Sequence, residues 1–315
     1  MRDLRIVFMG TPDFAVASLE EILEAGYNVV GVITAPDRPA GRGRKLRESA
    51  VKSYAKSKGL KVLQPTNLKS EEFQKELAEL DPNVQVVVAF RMLPKSVWNY
   101  PEYGTFNLHA SLLPQYRGAA PINWAIMNGE NKTGVSTFFL DEKIDTGAMI
   151  LQEPIEIDPS ENVESLHDRL MSLGSKLVVR TLDEIGKGEV ITEAQPESSE
   201  LKEAPKLNRE NTKIDWNLPV DQIYNHIRGL NPYPAAWCYL ENSSEESTVK
   251  IYDVGKLKQE HHWPNGTVTV TEKQIKVAAP DGYILINEIQ LPGKRKMLSN
   301  ALLNGFNFAP DAKMR

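Results

Sequence analysis

Two polar residues that could assist acyl or proton transfer, Asn107 and His109, lie two positions apart in the stretch 105–109. If this stretch forms a strand, both side chains project from the same side of it. An amide donor and an imidazole placed together could stabilise a developing oxyanion and handle a proton. Such pairs are also common in ordinary structure, where the asparagine satisfies turn backbone and the histidine is half-buried. Spacing alone favours this structural alternative.

A carboxylate that could orient the imidazole follows at Asp145, in the sequence Asp145-Thr146-Gly147. An acid hydrogen-bonded to a histidine holds the ring in position and stabilises its charged form in several transferases and hydrolases. Asp-x-Gly is also the sequence of an ordinary turn. The spacing does not show that Asp145 reaches His109, so both interpretations stay open at this point.

Strand-like and helix-like segments alternate before residue 190. Strands are predicted at 4–9, 28–34, 61–63, 84–90, 105–109 and 135–140, and helices at 13–25, 48–58, 70–80 and 161–185. This alternation predicts an α/β fold with a doubly wound, mostly parallel sheet. Ligands of such sheets bind outside the carboxyl ends of the strands, which is where His109 would stand.

The remainder of the chain has a different pattern. Short strands are predicted at 248–254, 266–271, 275–279 and 283–289, after a helix at 220–228. This pattern suits a small β-barrel, and we expect an OB-like one. Residues 192–205 contain four glutamates and two prolines without apolar periodicity. We therefore predict a first domain at 1–191, a linker at 192–205 and a second domain at 206–315.

Composition limits the class of protein. The chain has 315 residues, of which 41% are hydrophobic and 25% charged. No stretch approaches the ~20 apolar residues that span a bilayer, and no apolar signal core precedes the first predicted strand. The single cysteine, Cys238, excludes an internal disulfide framework. We expect a cytoplasmic protein without membrane contact.

Positive charge is concentrated in one short segment, although the net charge of the chain is −5. Residues 38–47, which we call the basic segment, contain Arg38, Arg42, Arg44, Lys45 and Arg47 without an acid. A polyanion would therefore meet a local patch rather than a uniformly positive surface. Taken alone, a charge run of this kind is most often a solvated loop.

A long motif gives these residues a family context. The segment NLHASLLPQYRGAAPI (107–122), followed by Asp145-Thr146-Gly147, resembles the signature of the 10-formyltetrahydrofolate-dependent formyltransferases. Four further segments are similar to the branch of that family that acts on methionyl initiator tRNA: FMGTPDFA (8–15), PDRPAGRG (36–43), IDW (214–216) and RGLNPYP (228–234). The resemblance extends over nearly the whole chain.

The resemblance implies a Rossmann-like formyltransferase domain and a catalytic trio of Asn107, His109 and Asp145. The implied reaction moves the formyl group of 10-formyltetrahydrofolate to the α-amino group of methionyl initiator tRNA. It is a direct acyl transfer through a tetrahedral intermediate, without a metal or a covalent enzyme intermediate. We expect the protein to act as a monomer.

The resemblance also implies binding residues. The folate site would be formed by Ser111, Leu112, Leu113 and Pro114 together with Phe90, Arg91, Met92 and Leu93. Arg38, Arg42, Arg44 and Lys45 would contact tRNA phosphates. The family usually has a glycine after the aromatic residue and one more residue before Leu-Pro. This chain reads AFRMLP (89–94), so we expect the folate contacts of this loop to differ from the family pattern.

Other functions fit the sequence less well. A dinucleotide-binding fingerprint is missing, because Gly10-Thr11-Pro12 places proline where the backbone must approach a pyrophosphate. A non-catalytic RNA-binding protein would explain the basic segment but not the trio. Within the family, glycinamide ribonucleotide transformylase lacks a second domain. A nucleotide-amino-sugar formyltransferase remains the main alternative, and a small sugar nucleotide has no use for the basic segment.

Overall fold

A computed structural model of the chain describes residues 2–40, 45–188, 190–196, 200–271 and 273–315. The chain divides into two compact units. The first consists of Met1–Gly118, Thr133–Ile155 and Asp168–Glu203, and the second of Ala119–Lys132, Glu156–His167 and Ala204–Arg315. The predicted domain boundaries at residues 191 and 206 follow the sequence alone and remain a prediction.

Helices are interspersed among the strands up to residue 204. In order they are β1 (Arg5–Gly10), α1 (Asp13–Glu24), β2 (Asn28–Ile33), β3 (Arg38–Ala40), β4 (Lys45–Arg47), α2 (Ala50–Ser57), β5 (Val62–Leu63), α3 (Glu71–Glu79), β6 (Val84–Val88), α4 (Lys95–Trp98), β7 (Thr105–His109), β8 (Arg117–Gly118), α5 (Pro121–Met127), β9 (Lys132–Phe139), β10 (Met149–Glu156), α6 (Val163–Lys187) and β11 (Glu203–Ala204). The first unit contains a seven-stranded sheet in the order β10-β9-β7-β6-β1-β2-β5. The predicted doubly wound, mostly parallel α/β fold is confirmed.

The centre of this sheet is buried on both faces. β1 pairs in parallel with β2 on one side and with β6 on the other. All five residues of β6, the segment VQVVV, are buried. A continuous apolar run is the expected sequence of a strand covered by helices on both sides. β7 continues the parallel set beside β6, whereas β9 pairs with β7 in the antiparallel direction.

Local sequence explains where the flanking helices begin. Ser49 caps α2 by accepting the backbone N–H of Lys52, at 3.0 Å. Ser70 caps α3 in the same way, through Phe73 N at 3.4 Å. A serine at this position satisfies one of the backbone donors that the first helical turn leaves unpaired. The helices therefore start within two residues of the positions predicted from sequence.

The order of the strands places a crevice at one edge of the sheet. From β1 the chain proceeds outward to β2 and β5, then returns to β6 on the other side of β1. Ligands bind at such switch points, outside the carboxyl ends of the strands. Gly10 ends β1 there, and a Cβ on it would lie 2.5 Å from the Cβ of Ala15 and 3.0 Å from Val88 O. Glycine is therefore required for the close approach of these elements.

The second unit is built mainly from antiparallel strands. Its elements after residue 204 are α7 (Val220–Arg228), β12 (Ala236–Asn242), β13 (Glu245–Ile251), β14 (Val254–Lys258), β15 (Val268–Thr271), β16 (Gln274–Ala279), β17 (Gly282–Ile286), β18 (Glu288–Gln290), β19 (Met297–Leu298), α8 (Ser299–Leu302) and β20 (Lys313–Met314). One sheet has the order β19-β18-β13-β12-β20, and the other β14-β17-β16-β15. Apolar side chains from both sheets and from α7 form one buried cluster.

Two strands predicted in this unit are in fact two elements each. The predicted strand 248–254 is divided between β13 and β14, and 283–289 between β17 and β18. Both divisions fall where the chain passes from one sheet to the other. The two corners are joined, because the backbone N–H groups of Asn287 and Glu288 both donate to Asp253 O, at 2.9 and 3.1 Å. Each corner interrupts the strand pattern for only one or two residues, Tyr252-Asp253 and Asn287, so sequence periodicity does not mark it.

Candidate active site

β7 carries Asn107 and His109 to the carboxyl edge of the sheet. The two residues share one side of the strand, Asn107 beside Val87 of β6 and His109 beside Ser136 of β9. His109 is buried, whereas Asn107 is partly exposed. Among the described residues, no donor or acceptor pairs with the Asn107 amide. The amide is thus free to donate a hydrogen bond to a bound group.

Both ring nitrogens of His109 face oxygen atoms. Nε2 lies 2.8 Å from the backbone carbonyl of Tyr116. Because a carbonyl only accepts hydrogen bonds, Nε2 carries a proton in this arrangement. Nδ1 lies 3.8 Å from Oδ2 of Asp145. This separation is about 1 Å longer than a direct hydrogen bond, so the carboxylate lies beside the ring but does not accept a direct hydrogen bond from Nδ1.

Asp145 lies in a turn whose backbone is unusual for a residue other than glycine. Its φ of 55° falls in the left-handed region, which Asp tolerates better than most residues. Its Oδ2 accepts the backbone N–H of Gly118 at 3.0 Å. The turn is closed further by Thr146, whose hydroxyl donates to Asp141 Oδ1 at 2.8 Å. A Cβ on Gly147 would collide with Phe139 O, so glycine is required there.

Gln195, which sequence analysis placed in the predicted linker, contacts the same turn. Its side-chain amide donates to the carbonyls of Asp145 and Gly147, at 3.0 and 2.8 Å. Its Oε1 accepts from Arg117 Nε and Nη2, at 3.1 and 2.7 Å. Sequence analysis gave no role to Gln195. The polar segment around it has no motif, and its contribution depends on contacts distant in the chain.

The predicted folate residues 111–114 form a turn that is held from within the first unit. Ser111 is buried, and its hydroxyl donates to Gln115 O at 2.7 Å. Leu113 N donates to the Ser136 hydroxyl at 3.1 Å, and Gln152 Nε2 donates to Leu113 O at 2.8 Å. Leu112 and Pro114 are partly exposed. The Ser111 hydroxyl and the Leu113 backbone shape the turn, while Leu112 and Pro114 are accessible from outside it.

The predicted loop 90–93 follows β6 at the same edge. Leu93 is buried in the apolar cluster beneath, and Phe90 packs partly against that cluster. Arg91 donates to Thr66 O at 3.1 Å and also to Pro65 O, and its guanidinium lies over the Phe90 ring. Met92 is 72% exposed. Phe90, Arg91 and Met92 thus present an aromatic ring, a cation and a flexible apolar chain beside the crevice.

The basic segment begins and ends in paired strands. β3 and β4 are antiparallel, with Arg38 directly opposite Arg47 and both side chains exposed. Like charges at opposed positions repel each other, so this pair favours an anion nearby. Burial and then the positive charge of Arg38 lower the pKa of Arg91. Arg42 and Arg44 lie outside the described residues, and only the backbone of Lys45 is described.

Tyr116 and Gly118 are further site residues to which sequence analysis gave no role. Tyr116 offers its carbonyl to His109, and Gly118 offers its N–H to Asp145. Both stand inside the motif 107–122, which was therefore the available signal. Residue type did not reveal their contribution, because it comes from the backbone.

Comparison with known proteins identifies the family of this chain. The formyl transferase family matches residues 4–182, and the formyl transferase C-terminal domain matches residues 206–307. The chain belongs to the formyl transferase family. It is 57% identical over 314 residues to the methionyl-tRNA formyltransferase of Flavobacterium johnsoniae, with 100% of both chains covered. It is 53% identical over 317 residues to that of Bacteroides thetaiotaomicron, with 99% and 98% of the two chains covered.

Two solved structures share the fold. A sugar 3N-formyl transferase, WlaRD, described with dTDP and 5-N-formyl-THF, superposes with a TM-score of 0.66 at 20% identity. That alignment covers 94% of this chain and all of WlaRD. HypX from Aquifex aeolicus, in complex with tetrahydrofolic acid, gives 0.64 at 17% identity and covers 96% of this chain and 47% of HypX.

Within the described residues, no helix is long and apolar enough to cross a membrane. No group of three or more His, Cys, Asp and Glu side chains in that part of the chain could hold a metal ion.

Proposed function

We propose that this chain transfers the formyl group of 10-formyltetrahydrofolate to the α-amino group of methionyl initiator tRNA, giving the formylated tRNA for translation initiation. The full-length match to the Flavobacterium johnsoniae enzyme carries this proposal, and the arrangement around His109 is consistent with it. The acceptor serves translation, which supports a cytoplasmic location. We further propose that the protein acts as a monomer, and gel filtration would test this.

The reaction needs hydrogen-bond donors where negative charge develops. When the amine attacks the formyl carbon, the formyl oxygen becomes an oxyanion. The Asn107 amide, which has no partner among the described residues, lies at the carboxyl edge of β7 and donates to this oxygen. His109 is the second donor, through the Nε2–H that also lies 2.8 Å from the Tyr116 carbonyl. Catalytic hydrogen bonds often form fully only in the substrate complex.

Asp145 orients the His109 ring and receives the proton of the amine. The 3.8 Å gap to His109 Nδ1 can close by a small shift or be bridged by a water. A bond forms between the formyl carbon and the amine nitrogen, and the bond from that carbon to N10 of the folate breaks. The proton that the amine loses passes through Asp145 and water to N10, so the carboxylate is regenerated.

The two substrates approach the same edge from different elements. For the folate we propose the turn 111–114 and the loop 90–93, in which Arg91 and Met92 are exposed and Phe90 is half-buried. For the tRNA we propose Arg38 with Arg42, Arg44 and Lys45 of the basic segment. We propose that residues 1–191 form the domain that carries out the chemistry and that residues 206–315 form a domain that makes further tRNA contacts. Residues 192–205 are the proposed linker between them.

Formyl transfer to competing acceptors tests the proposal. The purified protein would be incubated with 10-formyltetrahydrofolate and one of three acceptors: charged methionyl initiator tRNA, uncharged tRNA, or a nucleotide amino sugar. Mass spectrometry would detect the formylated product. We expect transfer to the charged tRNA alone, and its loss in His109→Ala. Transfer to the amino sugar would contradict the proposed acceptor. Binding of tRNA without any transfer would contradict the proposed enzymatic function.

A further inference from the structure

Gln195 is a buried polar residue in a segment without regular structure. It is 9% exposed, although the surrounding residues Glu193, Ala194 and Pro196 are all exposed. The segment is anchored nearby, because Glu193 and Met149 exchange two backbone hydrogen bonds of 2.8 and 3.0 Å. Burying an amide is costly unless its donors and acceptors are paired. The hydrogen bonds of Gln195 therefore indicate why this side chain is buried.

Within the described residues, the hydrogen bonds of the Gln195 amide go to the turn that carries Asp145 and to Arg117. Its nitrogen donates to the carbonyls of Asp145 and Gly147, and its oxygen accepts two bonds from Arg117. The amide has two N–H donors and one oxygen with two acceptor positions. The four bonds use this capacity fully, so the side chain has one fixed orientation.

Gln195 joins two segments, residues 117–118 and the turn 145–147, and both of them hold the Asp145 carboxylate in place. On one side, Gly118, next to Arg117, donates its backbone N–H to Asp145 Oδ2. On the other side, the backbone of the turn 145–147 carries the carboxylate. The turn includes a left-handed Asp145, a conformation that persists only where surrounding contacts hold it. The amide thus fixes both the strand that binds the carboxylate and the turn that presents it.

We infer that Gln195 is a positioning residue for the acyl transfer, which acts by fixing Asp145 beside His109 and does not touch substrate. The inference rests on the role proposed above for Asp145. Without the amide, the turn and residues 117–118 are free to separate. The distance from Asp145 to His109 Nδ1 then varies, and fewer enzyme molecules hold the productive geometry. Small misplacements of this kind cost up to about a hundredfold in rate.

Two variants remove this contact while preserving the size of the side chain. Gln195→Glu replaces the donating nitrogen by an oxygen that faces two carbonyls, and Gln195→Met removes all four hydrogen bonds. Gln74→Glu is the matched control, since Gln74 on α3 also donates to a backbone carbonyl, that of Leu68, at 2.8 Å. We expect a tenfold to hundredfold loss of kcat in both Gln195 variants, with the two KM values nearly unchanged. The control keeps the wild-type kcat.

A double-mutant cycle with Asp145→Asn separates positioning from a general structural role. If Gln195 acts through Asp145, then Gln195→Met lowers kcat in the wild type but has no further effect in Asp145→Asn. Multiplied losses in the double variant would overturn the inference, as would an unchanged kcat in a folded Gln195 variant. If one Gln195 variant fails to fold, the other provides the same cycle. An unchanged kcat in Asp145→Asn alone would instead refute the proposed role of Asp145.

Discussion

The proposed catalytic cluster (Asn107, His109 and Asp145) and the basic segment belong to the same unit, but their described side chains differ in exposure and in the contacts that hold them. The side chains of His109 and Asp145 are 7% and 14% exposed, and backbone groups of Tyr116 and Gly118 hold them. Arg38 and Arg47 are exposed and face each other. Chemistry requires groups that are oriented before the substrate binds, whereas attraction of a phosphate backbone requires accessible charge.

This difference predicts that substitutions in the two regions affect different kinetic constants. The largest effect is expected from Asn107→Ala. It removes the proposed oxyanion donor and should lower kcat by about a hundred- to a thousandfold, roughly 3–4 kcal/mol of transition-state stabilisation. Steady-state formylation assays would measure kcat and both KM values. An equal rise in the KM for tRNA, with kcat retained, would mean that Asn107 binds the acceptor instead.

The basic segment should show the opposite behaviour. Arg38→Ala combined with Arg47→Ala should weaken tRNA binding while kcat at saturating tRNA is retained. The slope of log Kd against log salt should become shallower by about 1 to 2, about one for each of these side chains that contacts a phosphate. Lys61→Ala is the control, because it removes one exposed charge just before β5. Lys61 therefore lies at the amino-terminal ends of the parallel strands, whereas the basic segment follows the carboxyl end of β2. A salt slope unchanged by the arginine substitutions would exclude these two side chains from the tRNA interface.

The second unit offers a smaller effect, on stability rather than catalysis. His226 Nε2 is buried without a hydrogen-bond partner among the described residues. Burial lowers the pKa of His226 below its ordinary 6.5, although a backbone bond with Thr212 opposes the shift. Below pH 6.5 the unfolded chain therefore binds a proton that the folded chain does not. Stability should be full above this pH and fall below it, by at most about 1.4 kcal/mol per pH unit.

Urea unfolding at several pH values would measure the His226 contribution. His226→Gln should flatten the loss of stability between pH 6.5 and 5 relative to the wild type. His262→Gln removes an exposed histidine from the same unit and should leave the pH dependence unchanged. Identical pH dependence in the wild type and His226→Gln would contradict the predicted linkage.

The smallest effect is expected at Cys238. It is buried in the apolar cluster of the second unit, and burial raises the pKa of its thiol to about 12. The thiolate is the reactive form, so the folded protein should not react with iodoacetamide at pH 8. Mass spectrometry should detect labelling only after denaturation, and treated enzyme should retain its activity. Labelling of the native protein with loss of activity would indicate a role for the thiol.

The sequence predicted the parts of this molecule that depend on residue type. The parallel strands were identified because segments such as VQVVV in β6 are apolar throughout. The helix α7 was predicted with its exact ends, since its apolar positions follow a helical period. The proximity of Asp145 to His109 followed only from the family resemblance. The two residues are 36 positions apart in the chain, and the folding of β7, β9 and the turn after β9 brings them together.

Features that depend on long-range backbone contacts were not predictable in this way. Every residue type has a backbone carbonyl, and every type except proline has a backbone N–H. The roles of the Tyr116 carbonyl and the Gly118 N–H therefore leave no signal in residue type. β12 was missed although its segment AWCYLEN has buried residues at the alternate positions 236, 238 and 240, because it directly follows a stretch with two prolines, Pro232 and Pro234. Gln195 acts through contacts with residues that lie 48 to 78 positions away.

The most direct test of the catalytic cluster is the rate of a single turnover with Asp145→Asn, at saturating donor and methionyl initiator tRNA. The substitution preserves the shape of the side chain and removes its charge. We expect the first-order rate of formyl transfer to fall by about a hundredfold or more, while the Kd for tRNA stays at the wild-type value. A wild-type transfer rate in Asp145→Asn would contradict the assignment of the proton-handling carboxylate to this turn.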